Sequence, residues 1–217
     1  MYIGRIACVA MTPDGRLCAS YRVSSRSFPN RTAVIGADKV SIVPKKGHER
    51  DILKNPYIAY NCVRLVCGWD VAIVTNGSQS DPIAEKIAMG VPPRDAIVAT
   101  SLALDYEKDQ YNTPRVSAVA DKRDNSGWLG VVRDDGLEVR EMPIGPGAFF
   151  YVATYEENSL SLAQGGEYLP TTAEEACEFI LGGGVFADKE KPVTAVAAMG
   201  ADDGYELVVM DAPPANA

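Results

Sequence analysis

Turn chemistry constrains the fold of this chain more than any other feature. Thr12-Pro13-Asp14-Gly15, Asp134-Asp135-Gly136 and Asp202-Asp203-Gly204 each separate two short runs rich in Val, Ala, Leu and Tyr. Pro presets φ and Gly supplies the left-handed dihedrals of a tight turn, so the runs they join must pair antiparallel. Gly68-Trp69-Asp70 does the same between Tyr57–Val66 and Val71–Thr75. Several such hairpins exclude a purely parallel, doubly wound sheet.

The runs between the turns predict strands over residues 2–11, Leu17 to Val23, Thr32 to Ile35, Val40 to Val43, Arg115 to Ala120, Trp128 to Arg133, Leu137 to Met142, Phe149 to Tyr155, Val193 to Met199 and Tyr205 to Met210. The period changes in two places. Asp81-Pro82 opens a helix carrying Ile83, Ile87 and Ala88 and closed by Gly90. Pro92-Pro93-Arg94-Asp95 opens another, with Ile97, Ala103 and Leu104 expected to face the core and the helix running into Asp105–Asp109. Thr172-Ala173-Glu174-Glu175 is a capping box for a helix through Leu181, stopped by Gly182-Gly183-Gly184. The order is strands, two helices, strands, a helix, strands. It predicts an α+β fold: a four-layer αββα sandwich of two mainly antiparallel sheets flanked by helices. With 217 residues the chain can bury roughly 70% of its unfolded surface. One domain over 1–211 is expected, with a frayed tail over 212–217.

Against that frame one stretch stands out. The chain has a net charge of −8, yet no acidic residue lies between Asp14 and Asp38, where Arg16, Arg22, Arg26 and Arg31 fall. Ser20, Tyr21, Ser24, Ser25 and Ser27 are interleaved with them. Guanidinium forks beside hydroxyls suit a phosphate or carboxylate. A local cluster dominates within a Debye length of about 8–10 Å, so a small anion can bind an acidic protein. The overall charge argues against nucleic acid or an anionic membrane as partner. Pro29 has no N–H for a ladder, which puts Arg26 and Arg31 at a strand end or loop.

The five cysteines (8, 18, 62, 67 and 177) form no C-x-x-C pair and read as reduced cytoplasmic residues. There is no apolar run of about 20 residues and no signal-peptide core. The single histidine, His48, sits in a charged turn and cannot build a His-rich metal site. No P-loop, H-E-x-x-H, G-x-S-x-G or dinucleotide fingerprint is present. Glu107, with Tyr106 or Lys108 nearby, is a candidate proton-transfer group. Thr75-Asn76-Gly77-Ser78 ends a strand where its amides could meet a ligand. Tyr57 and Tyr60 lie in an apolar run, and pattern alone does not choose between them.

The stretch Tyr21-Arg22-Val23-Ser24-Ser25-Arg26-Ser27-Phe28-Pro29-Asn30-Arg31 resembles the signature of the archaeal-type IMP cyclohydrolases. Asn55–Asn61, Thr75-Asn76-Gly77, Leu104–Asp109 and Asn112-Thr113-Pro114-Arg115 are also similar to that family, and the likeness spans about residues 1–205. The resemblance implies an N-terminal-nucleophile-hydrolase-like fold and ring closure of 5-formamidoimidazole-4-carboxamide ribotide to IMP with loss of water. That is the last step of de novo purine synthesis. Hydrolases of this fold use an N-terminal Ser, Thr or Cys nucleophile, whereas this chain starts Met1-Tyr2. The departure favours a reaction without a covalent intermediate, needing no metal or cofactor. The resemblance suggests Arg31, Tyr60 and Glu107 as the reacting set. Arg22 and Arg26 are expected to clamp the 5′-phosphate with Ser24, Ser25 and Ser27, and Asn76 to hold the base or ribose. The expected partner is the small purine ribotide, and a homo-oligomer stays open. Two other readings remain: an amide hydrolase of the same fold using Cys8 or Cys18 after processing, and a non-catalytic nucleotide-binding module.

Overall fold

A computed structural model of the chain describes residues 1–213. The strands are β1 (Ile6–Met11), β2 (Leu17–Ser24), β3 (Arg31–Ile35), β4 (Lys39–Pro44), β5 (Tyr60–Val66), β6 (Val71–Thr75), β7 (Arg115–Asp121), β8 (Ser126–Arg133), β9 (Gly136–Glu141), β10 (Ala148–Ala153), β11 (Gly165–Glu167), β12 (Pro192–Ala201) and β13 (Gly204–Asp211). The α-helices are α1 (Asp51–Lys54), α2 (Ser80–Ala88), α3 (Pro93–Leu104) and α4 (Ala173–Gly182). Six strands form one sheet in the order β11-β10-β1-β2-β12-β13, and seven form a second in the order β3-β4-β5-β6-β7-β8-β9. Every neighbouring pair is antiparallel. The hairpins at 12–15, 134–136 and 202–204 form as expected.

Strand alternation sorts the side chains into layers. On β2, Leu17, Ala19, Tyr21 and Val23 join Ala7, Val9 and Met11 of β1 and the inner face of the second sheet in one apolar cluster. The opposite face of the first sheet, with Ile6, Cys8, Ala10 and Cys18, packs against Ala173, Ala176, Cys177 and Ile180 of α4. The outer face of the second sheet, including Val71, Ile73 and Val119, packs on Ile83, Ala84 and Ile87 of α2 and Ala96 and Ile97 of α3. The result is an αββα order of layers. Gly130 of β8 admits α3 closely, because a Cβ there would lie 2.5 Å from Ile97 Cγ2. The capping box of α4 is made on both sides: Thr172 accepts from the Glu175 N–H and Glu175 accepts from the Thr172 N–H.

The structure corrects several expectations. The core face of α3 is Ala96, Ile97, Thr100 and Ser101. Ala103 and Leu104 belong to the last turn of the helix and stay exposed. Asp105, at φ 57°, turns the chain away, so Glu107 lies on an irregular segment rather than a helix. Tyr57 is not in a strand. Asn55 accepts the Tyr57 N–H and caps a 3₁₀ turn, Pro56–Ile58, before β5 begins. β11 escapes the hydrophobic pattern because its residues are Gly165, Gly166 and Glu167. The Ala212 N–H donates to Val193 O at the foot of the expected tail. Residues 214–217 lie outside the described residues. Among the described residues no helix is long and apolar enough to cross a membrane. The cysteines are free, and all but Cys67 are buried.

Candidate active site

A cavity of about 680 Å³ opens where β1 begins, β2 ends and β3 begins. The loop between β2 and β3 is pinned at both flanks. Ser25 Oγ accepts the Phe28 N–H, and Arg31 Nε donates to Phe28 O at 3.0 Å. This loop brings Ser25, Arg26, Ser27 and Arg31 to the wall. Arg5, from the segment entering β1, and Lys54, from the end of α1, complete four cations. Tyr2, Tyr57, Tyr111 and Tyr155 supply aromatic rings. The one carboxylate on the wall, Asp109, is turned to its own loop, where it accepts the Tyr111 and Thr113 N–H groups and the Thr113 hydroxyl. A cationic, ring-lined cavity in a chain of net charge −8 suits an anion that carries a planar group.

Two buried assemblies back this wall. In the first, the hydroxyls of Tyr21 (β2) and Tyr60 (β5) lie 2.6 Å apart, joining the two sheets. Burial pushes both phenols above their ordinary value, Tyr21 the further. For Tyr60 the charges of Arg31 and Arg5 and the Tyr21 hydrogen bond work in the opposite sense. Burial lowers Arg31 itself. In the second assembly, Arg5 Nη2 donates to Glu107 Oε2 at 2.9 Å, and Arg115 Nη1 lies 3.7 Å from Oε1. Arg115 is held in turn by Gln79 Oε1 and Asp105 O. Burial raises Glu107 above the usual carboxylate range against the pull of Arg5 and Arg115. Burial also opposes the charge of Arg5, but Glu107 and the hydroxyls of Tyr60, Tyr21 and Tyr155 outweigh it, and the guanidinium is held firmly protonated. Oε1 of Glu107 has no hydrogen-bond partner. Gly77 leaves room for this assembly: a Cβ there would lie 2.5 Å from Arg115 Nη1 and 3.2 Å from Glu107 Oε1.

The expected site residues divide. Ser25, Arg26, Ser27 and Arg31 line the cavity. Arg26 lies 4.2 Å over the Tyr2 ring and 3.3 Å from Glu190. Arg22 does not reach the cavity. Alternation turns it to the α4 side of β2, where it is fully buried. Its guanidinium donates to Ile180 O, Leu181 O, Lys189 O, Glu190 O and Ser24 Oγ. It is a strut for the end of α4, not a phosphate clamp, and Ser24 is spent on it. Asn76 is likewise buried and committed: its amide donates to Pro114 O and accepts from Gln79 Nε2 and the Val116 N–H. Tyr60 is half-buried behind Arg5 and Arg31, whereas Tyr57 is on the wall. Glu107 is fully buried and does not line the cavity; it pairs with Arg5, which does. Tyr106 and Lys108 pair with each other and with Asp105, and neither lines the cavity. Sequence reasoning missed Tyr2, Arg5, Lys54 and Tyr155. For Arg5 a signal existed, since it is the one charge inside the apolar run from Ile3 to Met11.

The family model described as IMP cyclohydrolase-like protein matches residues 2–204. A protein of Methanosphaera stadtmanae named IMP cyclohydrolase is 46% identical over 203 residues, covering 94% of this chain and 96% of its own length. One of the same name from Methanocella arvoryzae is 45% identical over 98% of this chain and all of its own. Another from Methanocaldococcus jannaschii is 38% identical over 95% of this chain and 98% of its own.

Proposed function

This chain belongs to the IMP cyclohydrolase-like family, and we propose on that premise that the cavity closes the purine ring, with Arg5 and Arg31 on its wall and Tyr60 next to them as the reacting set. The protein is an IMP cyclohydrolase. It converts 5-formamidoimidazole-4-carboxamide ribotide to IMP and water, a step that suits a cytoplasmic enzyme. The carboxamide nitrogen attacks the formyl carbon of the same molecule. The C–O bond of the resulting carbinolamine then breaks, and the formyl oxygen leaves as water with one proton from each nitrogen. Holding the two groups in near-attack geometry removes much of the barrier.

The observation that carries this reading is the placement of Arg5 and Arg31 on the cavity wall, with the Tyr60 hydroxyl under the influence of both. Their guanidinium groups stabilise charge developing on the formyl oxygen. Tyr60 gives the proton that lets this oxygen depart. Glu107, one ion pair behind, holds Arg5 in place. Arg26, Ser25, Ser27 and Lys54 bind the 5′-phosphate, and the tyrosine rings of the wall face the imidazole. The αββα order of layers supports the reading of an N-terminal-nucleophile-hydrolase-like fold, and we take residues 1–211 as one catalytic unit. The rival amide-hydrolase reading is weakened because Cys8 and Cys18 lie between β1, β2 and α4. Burial pushes the Cys18 thiol up to about 11 and Cys8 higher, the reverse of what a nucleophilic cysteine needs. The test is to mix pure protein with the ribotide in the presence of a chelator and follow IMP by ultraviolet absorbance. Steady IMP formation is expected, and its absence refutes the assignment.

A further inference from the structure

Tyr21 is an unusual core residue. Its ring sits among Ala19, Val23 and Cys62 in the apolar layer between the sheets, and it is fully buried. A phenolic hydroxyl costs free energy there unless it is bonded. Among the described residues its one hydrogen-bond partner is the Tyr60 hydroxyl, with the two rings edge to face at 6.5 Å. Phenylalanine would fill the same space without that cost, so the hydroxyl calls for a use.

The direction of the bond follows from what surrounds it. Arg5 and Arg31, which line the cavity, favour a charged Tyr60, whereas Cys62, a buried thiol, belongs to the same core cluster as Tyr21. Glu107 is ion-paired to Arg5, and Tyr2 and Tyr155 line the cavity with the two arginines. Negative charge is therefore best placed on the Tyr60 oxygen. A phenol has one proton and two lone pairs. If Tyr60 donated to Tyr21, its proton would point into the core. If Tyr21 donates, the Tyr60 proton is free for the cavity.

We propose that Tyr21 is a positioning residue whose buried hydroxyl donates to the Tyr60 oxygen, aiming the Tyr60 proton at the substrate and stabilising the phenolate left when that proton is given up. The inference rests on the reading of Tyr60 as the proton donor. The steps balance. Tyr60 protonates the carbinolamine hydroxyl, the C–O bond breaks and water leaves. The formamido nitrogen's lone pair forms the new C=N bond. The proton released from that nitrogen returns to the Tyr60 phenolate.

A double-mutant cycle tests this. Tyr60→Phe is expected to lower kcat by about 10²–10⁴-fold, the range of one acid–base group. Tyr21→Phe is expected to lower kcat by roughly 10–150-fold, the range of a hydrogen bond to a charged group, with KM within about twofold. It should also move the basic limb of the kcat profile to higher pH, because the phenolate loses its donor. The double variant should be no slower than Tyr60→Phe alone, since Tyr21 acts only through Tyr60. Independent, multiplying effects, or a Tyr21→Phe enzyme within about twofold of the parent, overturn the proposal while leaving Tyr60 in its role. A fully active Tyr60→Phe enzyme removes Tyr60 from the reaction and this proposal with it. Should Tyr21→Phe fail to fold by circular dichroism, 3-fluorotyrosine at position 21 keeps the hydroxyl as a stronger donor. The basic limb must then move to lower pH, and an unmoved limb overturns the proposal.

Discussion

Replacing Arg22 by methionine and Arg26 by alanine should give opposite phenotypes, although the two residues sit four apart in one basic stretch. Arg22 makes five hydrogen bonds to Ser24, Ile180, Leu181, Lys189 and Glu190. At a net value of about 1 kcal/mol each, these contribute about 5 kcal/mol. Against that stands the cost of burying the charge, which pushes the Arg22 guanidinium from 12.5 down to about 10. At about 1.4 kcal/mol per unit this is about 3.5 kcal/mol. Arg22→Met should therefore destabilise by about 1.5 kcal/mol and lower Tm by roughly 3–6 °C in a domain of this size, with KM unchanged. Arg26 is exposed, as is its partner Glu190, and such a pair is worth about 0–1 kcal/mol. Arg26→Ala should leave Tm within about 2 °C and raise KM by roughly 10–150-fold, the range of one charge-assisted phosphate contact. Thermal unfolding by circular dichroism and steady-state IMP formation read both quantities. An Arg22→Met protein with unchanged Tm and a KM more than about tenfold higher would return Arg22 to the phosphate site and refute the argument from strand alternation.

Glu107→Gln should lower kcat with KM held, and it should also remove an acid limb from the pH profile. Burial raises Glu107, so its carboxylate takes up a proton above the ordinary range near about 4.3, releasing Arg5 and lowering the rate as pH falls. A carboxyl raised in the folded state binds its proton more tightly there than in the unfolded chain. Its own titration therefore favours the fold as pH falls through that window, and a limb that coincides with loss of ellipticity would sink this assignment. Gly77→Ala should cut kcat at least tenfold and lower Tm, because the added methyl displaces Arg115. A crystal structure with Arg115 unmoved would contradict this. Raising the salt from about 0.05 to 0.5 M should increase KM several-fold while kcat changes less than twofold, as cations and phosphate are screened. A flat KM would mean that the wall cations do not contact the phosphate.

The hairpins and the capped helix α4 were legible because their signals are local: two or three turn residues, or Thr172 with Glu175, decide them. The basic stretch was legible as an anomaly of charge, and its loop half, Ser25 to Arg31, does line the cavity. Its strand half was misread. Alternation places Arg22 opposite Tyr21, but no local pattern tells which face of β2 would be covered by a helix 150 residues later. Asn76 posed the same difficulty, since an amide at a strand end looks alike whether it meets a ligand or the carbonyl of Pro114. Family membership was readable because a long motif was present. Arg5 showed only as a lone charge in an apolar run, and what it does was not readable, because its partner Glu107 lies about a hundred residues away.

The position of β2 inside its sheet also sets the order in which the enzyme can come into being. One edge of β2 pairs with β1, close in sequence, but the other pairs with β12, so that Arg22 lies opposite Ala195. While the chain is being synthesised, the hairpin carrying Ser25 and Arg26 is complete early, yet half of its backbone groups have no strand partner until residue 201 has emerged. Long-range pairing of this kind makes for slow folding and a vulnerable interval in which an apolar hairpin edge is open to other chains. A nascent chain arrested at residue 190 should therefore bind no ribotide, and one extended through residue 213 should.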